Sequence, residues 1–547
     1  MKTRFVVSLL ALTANCSAAV TLHPLFSDRM VLQREMPVSV WGKADPGEKV
    51  QVRFAGQVVD ATADADGKWT AQLAPMPASA ESREIVVAGS NTITLQDVVV
   101  GDVWLASGQS NMDSPLRSGS TAPEVAEAKD PLIRFFNVKK AVAAEPLLAP
   151  EGKWVVSSPA VSPDFSAIGY LFAKEIRKTQ GVPVGIIRSA WGGTPIVAWM
   201  SMDALRQDPP VARALREWDT AFAKYTATKD QPELMEAYYR DMKDWETNVQ
   251  APHKAALKTH KSEIAAAKTA GNPPPPAPQL ARPEPEMPNP IAMPSASKRP
   301  QVPSITYNAM ITSLAPYGLK GVLWYQGEGD TGRTPEYRVC LPRLIENWRS
   351  LFKQARLPFM IVQLPGFGAN SSLVVQKGIP FLRSAQQAAL SLPATGMAVT
   401  ADIGEAAEAH PDNKRHVAAR LALAARETAY GEKVNGSSPY YDGHEVRDGA
   451  VVVRFKNAAG GLIISEPPWR PASAPAVPTD RLLGFCVKGA TGDWVSADAR
   501  IEGETVVVSS PSVKEPIAVA YGWTETPVLN LYSREGLPAA PFRTDEN

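Results

Sequence analysis

The stretch Val98-Val99-Val100-Gly101-Asp102-Val103-Trp104-Leu105-Ala106-Ser107-Gly108-Gln109-Ser110-Asn111-Met112 decides the architecture of this chain. Residues 98–105 are an apolar run of strand length, which fits a strand buried on both faces. Such strands belong to parallel sheets covered by helices. The polar turn that follows places Ser110 just past the carboxyl end of the strand, where open α/β sheets hold their ligands. Ser110 is therefore a candidate nucleophile. It is equally a candidate helix N-cap, because serine in a strand-to-helix turn satisfies orphan amide groups.

Outward from this strand the pattern repeats. The runs 184–187, 321–325, 359–364 and 397–400 read as further buried strands, and 165–178 and 416–426 as helices between them. An α/β region over 97–435 follows. It is interrupted at 206–303, where 211–224, 233–248 and 253–268 have helical composition. Residues 273–303 then hold 12 prolines in 31 positions, a density that forbids regular helix and favours extended chain. An insert of this kind belongs on the catalytic face or its rim. On either side lie short alternating strands: 49–54, 84–87 and 92–95 within 20–96, and 450–455, 482–487, 505–509 and 517–520 within 436–547. Both flanks read as small β units.

With 547 residues, the chain exceeds the roughly 250–300 residues at which a single core stops growing. Lys plus Arg number 57 against 56 Asp plus Glu, a formal charge of +1, which argues against nucleic acid and against an electrostatic membrane surface. A hydrophobic share of 44% with 21% charged residues excludes global disorder. At the start, Lys2 and Arg4, the apolar run 5–12 and Ser17-Ala18-Ala19 have the order of a secretory signal peptide over 1–19, which predicts a secreted or periplasmic protein. A membrane anchor would need about 20 apolar residues. Cys16 admits a lipoprotein reading, but Asn15 stands where a small residue is wanted. Cleavage would leave Cys340 and Cys486, read as two buried apolar side chains or one bridge. The six histidines (His23, His253, His260, His410, His416, His444) are scattered without metal-ligand spacing, so chemistry with no metal and no cofactor is expected.

Three more blocks carry chemistry. In Ser189-Ala190-Trp191-Gly192-Gly193-Thr194-Pro195, paired glycines after a strand let the backbone approach a ligand and offer an N–H to an oxyanion; read alone, such a pair is ordinarily a turn. In Trp324-Tyr325-Gln326-Gly327-Glu328-Gly329-Asp330, Gln326 is either a further donor or part of a polar loop tip. In His410-Pro411-Asp412-Asn413-Lys414, His410 is a general base or a helix cap. No Gly-x-Ser-x-Gly occurs, so an ordinary α/β-hydrolase elbow is not supported.

Residues 101–112 closely resemble the nucleophile block of the sialate O-acetylesterase family, a branch of the SGNH (GDSL-like) hydrolases, and the other three blocks follow in that family's order. The segments 26–42 and 536–544 resemble its flanking β domains. The resemblance implies an SGNH-type (flavodoxin-like) parallel-sheet core between N- and C-terminal β-sandwich domains. It also implies a serine esterase that removes O-acetyl groups from carbohydrate, with Ser110 as nucleophile and His410 as base. The oxyanion would be held by the N–H groups of Ser110 and Gly193 and by the Gln326 side chain. SGNH enzymes often carry an Asp three residues before the histidine, but Ala407 stands there. Glu328 resembles the glutamate that related carbohydrate esterases use to orient the histidine and ranks first as the acid, with Glu408 second and Asp402 third.

The expected partner is an acetylated oligosaccharide or glycan, with sialic acid and hemicellulose such as xylan as leading donors. A sialate carboxylate would call for Arg188 or Arg383 near the pocket, while Trp191, Trp199 and Trp324 suit stacking on sugar rings or serve as core. A non-catalytic carbohydrate-binding protein and a lipid-directed esterase are the alternatives. The oligomeric state is left open.

Overall fold

The computed structural model describes residues 19–207, 211–289, 291, 301–368, 373–472, 474 and 476–545. The expected signal peptide, but for residue 19, and residues 290 and 292–300 of the proline-rich tract lie outside them. Among the described residues, no helix is long and apolar enough to cross a membrane.

The strand quoted at the outset extends over Thr92–Gly108 and has two characters. Its first half alternates partly and more fully exposed side chains and pairs antiparallel with Ser79–Ala88, Ile85 facing Leu95. Its second half is buried on both faces and forms the centre of a parallel sheet. One unbroken strand thus crosses residue 96, and Val31–Gln33 pairs with it beyond that point, at Val99–Gly101. Through it Val31–Gln33, Lys49–Phe54, Gln57–Thr62 and Ser79–Ala88 join the same large mixed sheet as the core, while Thr21–Leu22, Val38–Lys43 and Lys68–Leu73 form a separate three-stranded sheet, and apolar side chains of both join one continuous cluster with the core.

Across the core the strand order is Trp154–Val156, Ile133–Asn137, Val184–Ala190, Thr92–Gly108, Gly321–Tyr325, Phe359–Val362, Thr395–Ala398. All neighbours are parallel except the outermost Trp154–Val156. Helices Ala167–Gln180 and Arg415–Thr428 pack on each other, as do Thr334–Leu351 and Ile379–Gln387. Local chemistry sets the ends of Ala167–Gln180: the Ser166 hydroxyl accepts the Gly169 N–H, and Gly181 takes the left-handed conformation that closes the last turn. The sequence pattern shows no strand at Ile133–Asn137, because Arg134 interrupts its apolar run. That guanidinium is nearly buried and donates to Asp97 Oδ1 at 2.9 Å, so a charge that reads as surface is paired inside.

The insert forms helices Ala212–Thr228, Pro232–Trp245 and Ala251–Thr269, the last two joined through the π-helical turn Glu246–Gln250. These helices bury small clusters of their own, around Trp218 and Ile305 and around Tyr238 and Trp245. Residues 273–289 carry no helix or strand. After residue 436 come two four-stranded sheets and a two-stranded one, with a separate hydrophobic cluster. Cys340 and Cys486 are buried in different clusters, so the bridge allowed by the sequence is not formed between them.

Candidate active site

Three neighbouring strand ends build the site. Gly108, at φ +130°, ends the central strand so close to Tyr325 that a Cβ would lie 2.1 Å from its carbonyl oxygen, a position only glycine can take. The Gln109 N–H donates to Tyr325 O (2.9 Å) and the Trp191 N–H to Gly108 O (3.1 Å), fixing the three loops together. Ser110 opens the one-turn helix Ser110–Asp113, and its N–H, at the first helical position, has no partner within the helix. Gly192 comes so near that a Cβ on it would sit 3.1 Å from Ser110 Cβ.

Across 300 residues of sequence, the Ser110 hydroxyl donates to His410 Nε2 at 2.8 Å. On the other side of the ring, Glu408 Oε1 accepts the His410 backbone N–H at 2.8 Å and lies 3.1 Å from Nδ1. These contacts select the tautomer with hydrogen on Nδ1. The His410 N–H, above all, holds the Glu408 carboxyl below the ordinary glutamate range. Both residues are half exposed, with side-chain exposures of 50% and 52%.

The three expected acids are placed differently. Glu328 makes no hydrogen bond to His410; its Oε1 accepts from Asn111 Nδ2 (2.5 Å), and its buried Oε2 has no partner among the described residues. Burial pushes its pKa up. Asp402 is held at 2.6 and 2.7 Å by Arg420 and at 2.7 Å by the Tyr532 hydroxyl, so it ties the C-terminal strands to the core. Glu408 alone of the three reaches the imidazole, because the bend between Glu405 and His410 curls its side chain back onto the ring.

Gln326 also departs from expectation. Its two amide hydrogens are occupied by Thr194 O (3.1 Å) and Asp330 Oδ2 (2.6 Å), leaving no donor for an oxyanion. It joins two site loops instead, and Asp330, pushed up to about 6 by burial, also accepts the Ile196 N–H. Gly193 takes φ +73°. Its carbonyl accepts from Gln301 Nε2 at 2.7 Å, at the returning end of the insert, and its N–H donates to no acceptor among the described residues.

Of the two arginines, Arg188 is ion-paired with Asp113 at 3.1 Å. Arg383 is fully buried and donates to the carbonyls of Leu364, Pro365, Thr524 and Glu525, a bracket between two segments rather than a pocket group; burial pulls its pKa down to about 9. Trp199 and Trp324 are core, in edge contact with centroids 6.3 Å apart. Trp191 is only partly buried and carries the Lys140 ammonium 5.9 Å from its ring centre. Sequence alone does not single out Asn111, Lys414 or Asp330. They stand inside the quoted blocks, yet only the fold reveals that they are buried and bonded to the site.

The family model for carbohydrate esterases, sialic acid-specific acetylesterases, matches residues 100–254 and 298–427, just over half of the chain. The chain belongs to that family. It is a carbohydrate O-acetylesterase, and the gap in the match, 255–297, contains most of the proline-rich tract. The esterase is 29% identical to the sialate O-acetylesterase of Rattus norvegicus over 444 residues, 74% of this chain and 72% of that protein. It is likewise 29% identical to that of Homo sapiens over 446 residues, 74% of this chain and 70% of that one. A crystal structure of a carbohydrate acetylesterase from Xanthomonas citri superposes with TM-score 0.74 at 33% identity, covering 97% of this chain and all of that one.

Proposed function

We propose that the esterase removes O-acetyl groups from a glycan through an acetyl-serine intermediate on Ser110. The observation that carries this reading is the 2.8 Å contact between Ser110 Oγ and His410 Nε2. In it, Nε2 takes the hydroxyl proton as Oγ bonds to the acetyl carbon, while Glu408 keeps Nδ1 protonated and stabilises the imidazolium. The oxyanion faces the N–H groups of Ser110 and Gly193, each worth about 10²- to 10³-fold in rate. Collapse breaks the bond to the sugar oxygen, which receives the proton from Nε2. Water then attacks the acetyl carbon, giving its proton to the same nitrogen, and acetate leaves as Oγ is reprotonated.

The half-exposed His410 and Glu408 suit an ester carried on a bulky sugar, and the partly buried Trp191, one residue before the Gly192 that packs on Ser110, supplies an aromatic ring for it. The names of the rat and human relatives favour sialic acid as the acetylated sugar; a hemicellulose such as xylan remains the second donor class. The core strand order supports an SGNH-type, flavodoxin-like core over 97–435, the strands of 20–96 support a β-sandwich unit continuous with it through Thr92–Gly108, the sheets after 436 support a second at 436–547, and the order of residues 2–19 supports export. Acetate release across a panel of acetylated glycans tests the reading. Release from at least one glycan by the wild type, and none by Ser110→Ala, is expected. Equal rates on acetyl and octanoyl aryl esters, with no acetate from any glycan, would overturn it.

A further inference from the structure

Beneath Ser110 and His410 lies a buried chain of polar groups that the acyl-transfer steps leave unused. Asn111 follows the nucleophile in sequence and is completely buried. Its Nδ2 donates to Glu328 Oε1 (2.5 Å) and to Ala409 O (3.0 Å), and its Oδ1 accepts from Lys414 Nζ at 2.6 Å. Lys414 Nζ also donates to Pro411 O at 2.8 Å. The carbonyls immediately before and after His410 are thus gripped by two side chains that touch each other, one of them adjacent to Ser110.

An ammonium only 4% exposed is costly unless balanced by opposite charge. Here Glu328 acts on it from the turn after strand Gly321–Tyr325, and Asp412, Glu405 and Glu408 from the histidine's own loop. Burial pulls the Lys414 pKa down to about 8 and pushes that of Glu328 up. Asn111, bonded to both by opposite ends of its amide, lies between the two charges.

We propose that Asn111 and Lys414, with Glu328 as counter-charge, are positioning residues that hold the His410 imidazole against Ser110, and that the hold requires Lys414 as an ammonium. This rests on the Ser110–His410 reading of catalysis and gives Glu328 a task other than orienting the imidazole directly.

The test is the pH dependence of kcat and KM on an aryl acetate for the wild type, Ser110→Ala, Lys414→Met, Glu328→Gln and the Lys414→Met/Glu328→Gln double variant, with thermal unfolding alongside. Folded Lys414→Met is expected to lose about tenfold to a hundredfold in kcat with little change in KM, as a small misplacement of a reacting group does. The double variant recovers part of that loss, because its buried carboxylate is no longer uncompensated. Wild-type kcat falls above about pH 8, and in Glu328→Gln that fall moves to lower pH, since an ammonium deprived of its counter-charge loses its proton more easily. Wild-type kcat in Lys414→Met overturns the proposal, as does an alkaline fall that stays in place in Glu328→Gln. If Lys414→Met does not fold, the Glu328→Gln profile decides; if neither variant folds, a wild-type kcat with no alkaline fall overturns it. Turnover by Ser110→Ala would instead remove the catalytic reading itself.

Discussion

Glu408 precedes His410 by two residues and holds it twice, accepting the backbone N–H at 2.8 Å and lying 3.1 Å from ring Nδ1 with the same carboxylate oxygen. The carboxylate on His410 is therefore local to the histidine's own loop, while Ser110, on the other ring nitrogen, stands 300 residues away just past the strand Thr92–Gly108.

Replacing Glu408 by Gln keeps the size and removes the charge that, in the proposed mechanism, stabilises the imidazolium. A fall in kcat of about 10²-fold is expected, with KM little altered. Because the folded-state pKa of Glu408 is depressed, its support is present above the ordinary glutamate range and is lost only as pH falls beneath it. The kcat of the Gln variant checks the first statement, and the acid limb of the wild-type pH profile compared with that of the variant checks the second.

Asp402→Asn should act on stability rather than chemistry. The substitution leaves the buried Arg420 guanidinium without its carboxylate, a loss of about 3–5 kcal/mol. A lowered Tm with nearly unchanged kcat in the folded protein is expected. A large kcat loss at unchanged Tm would return Asp402 to the list of catalytic acids.

Two glycines near the nucleophile should differ sharply. Gly108→Ala drives a Cβ to 2.1 Å from Tyr325 O at φ +130°, so little folded, active protein is expected. At Gly192 the added Cβ meets Ser110 Cβ at 3.1 Å, a contact a few tenths of an ångström of movement relieves. Gly192→Ala should fold and lose activity through displacement of Ser110, measured as kcat at unchanged Tm.

Much of this was legible in the sequence, and the failures share a cause. Apolar runs mark the central strands, and the first and last of the four blocks hold Ser110 and His410, which the fold brings to 2.8 Å of each other. What sequence cannot show is which polar side chains fold inward. Arg134 hides a core strand because its guanidinium is itself buried, paired with an Asp97 that reaches the surface. Gln326 looked like a donor until Thr194 and Asp330 occupied both its hydrogens. Glu328 ranks ahead of Glu408 on the sequence, and only the curl of the 405–410 bend brings Glu408 rather than Glu328 to the ring.

Trp191→Ala separates sugar recognition from chemistry. The ring lies beside Gly192 and under Lys140, so its removal should raise KM on acetylated glycan by about tenfold, the value of about one stacking contact. Turnover of a small aryl acetate should stay within a few-fold of wild type. An equal loss on both substrates would make Trp191 a structural support of the Gly192 turn.

Turnover of a small aryl acetate by Ser110→Ala, measured on protein whose thermal unfolding matches wild type, addresses the nucleophile directly. A loss of about 10³-fold or more is predicted, as for removal of the attacking atom in other serine acyl-transfer sites. Retention of most wild-type turnover by the folded variant would contradict the assignment of Ser110 and, with it, the acetyl-serine mechanism.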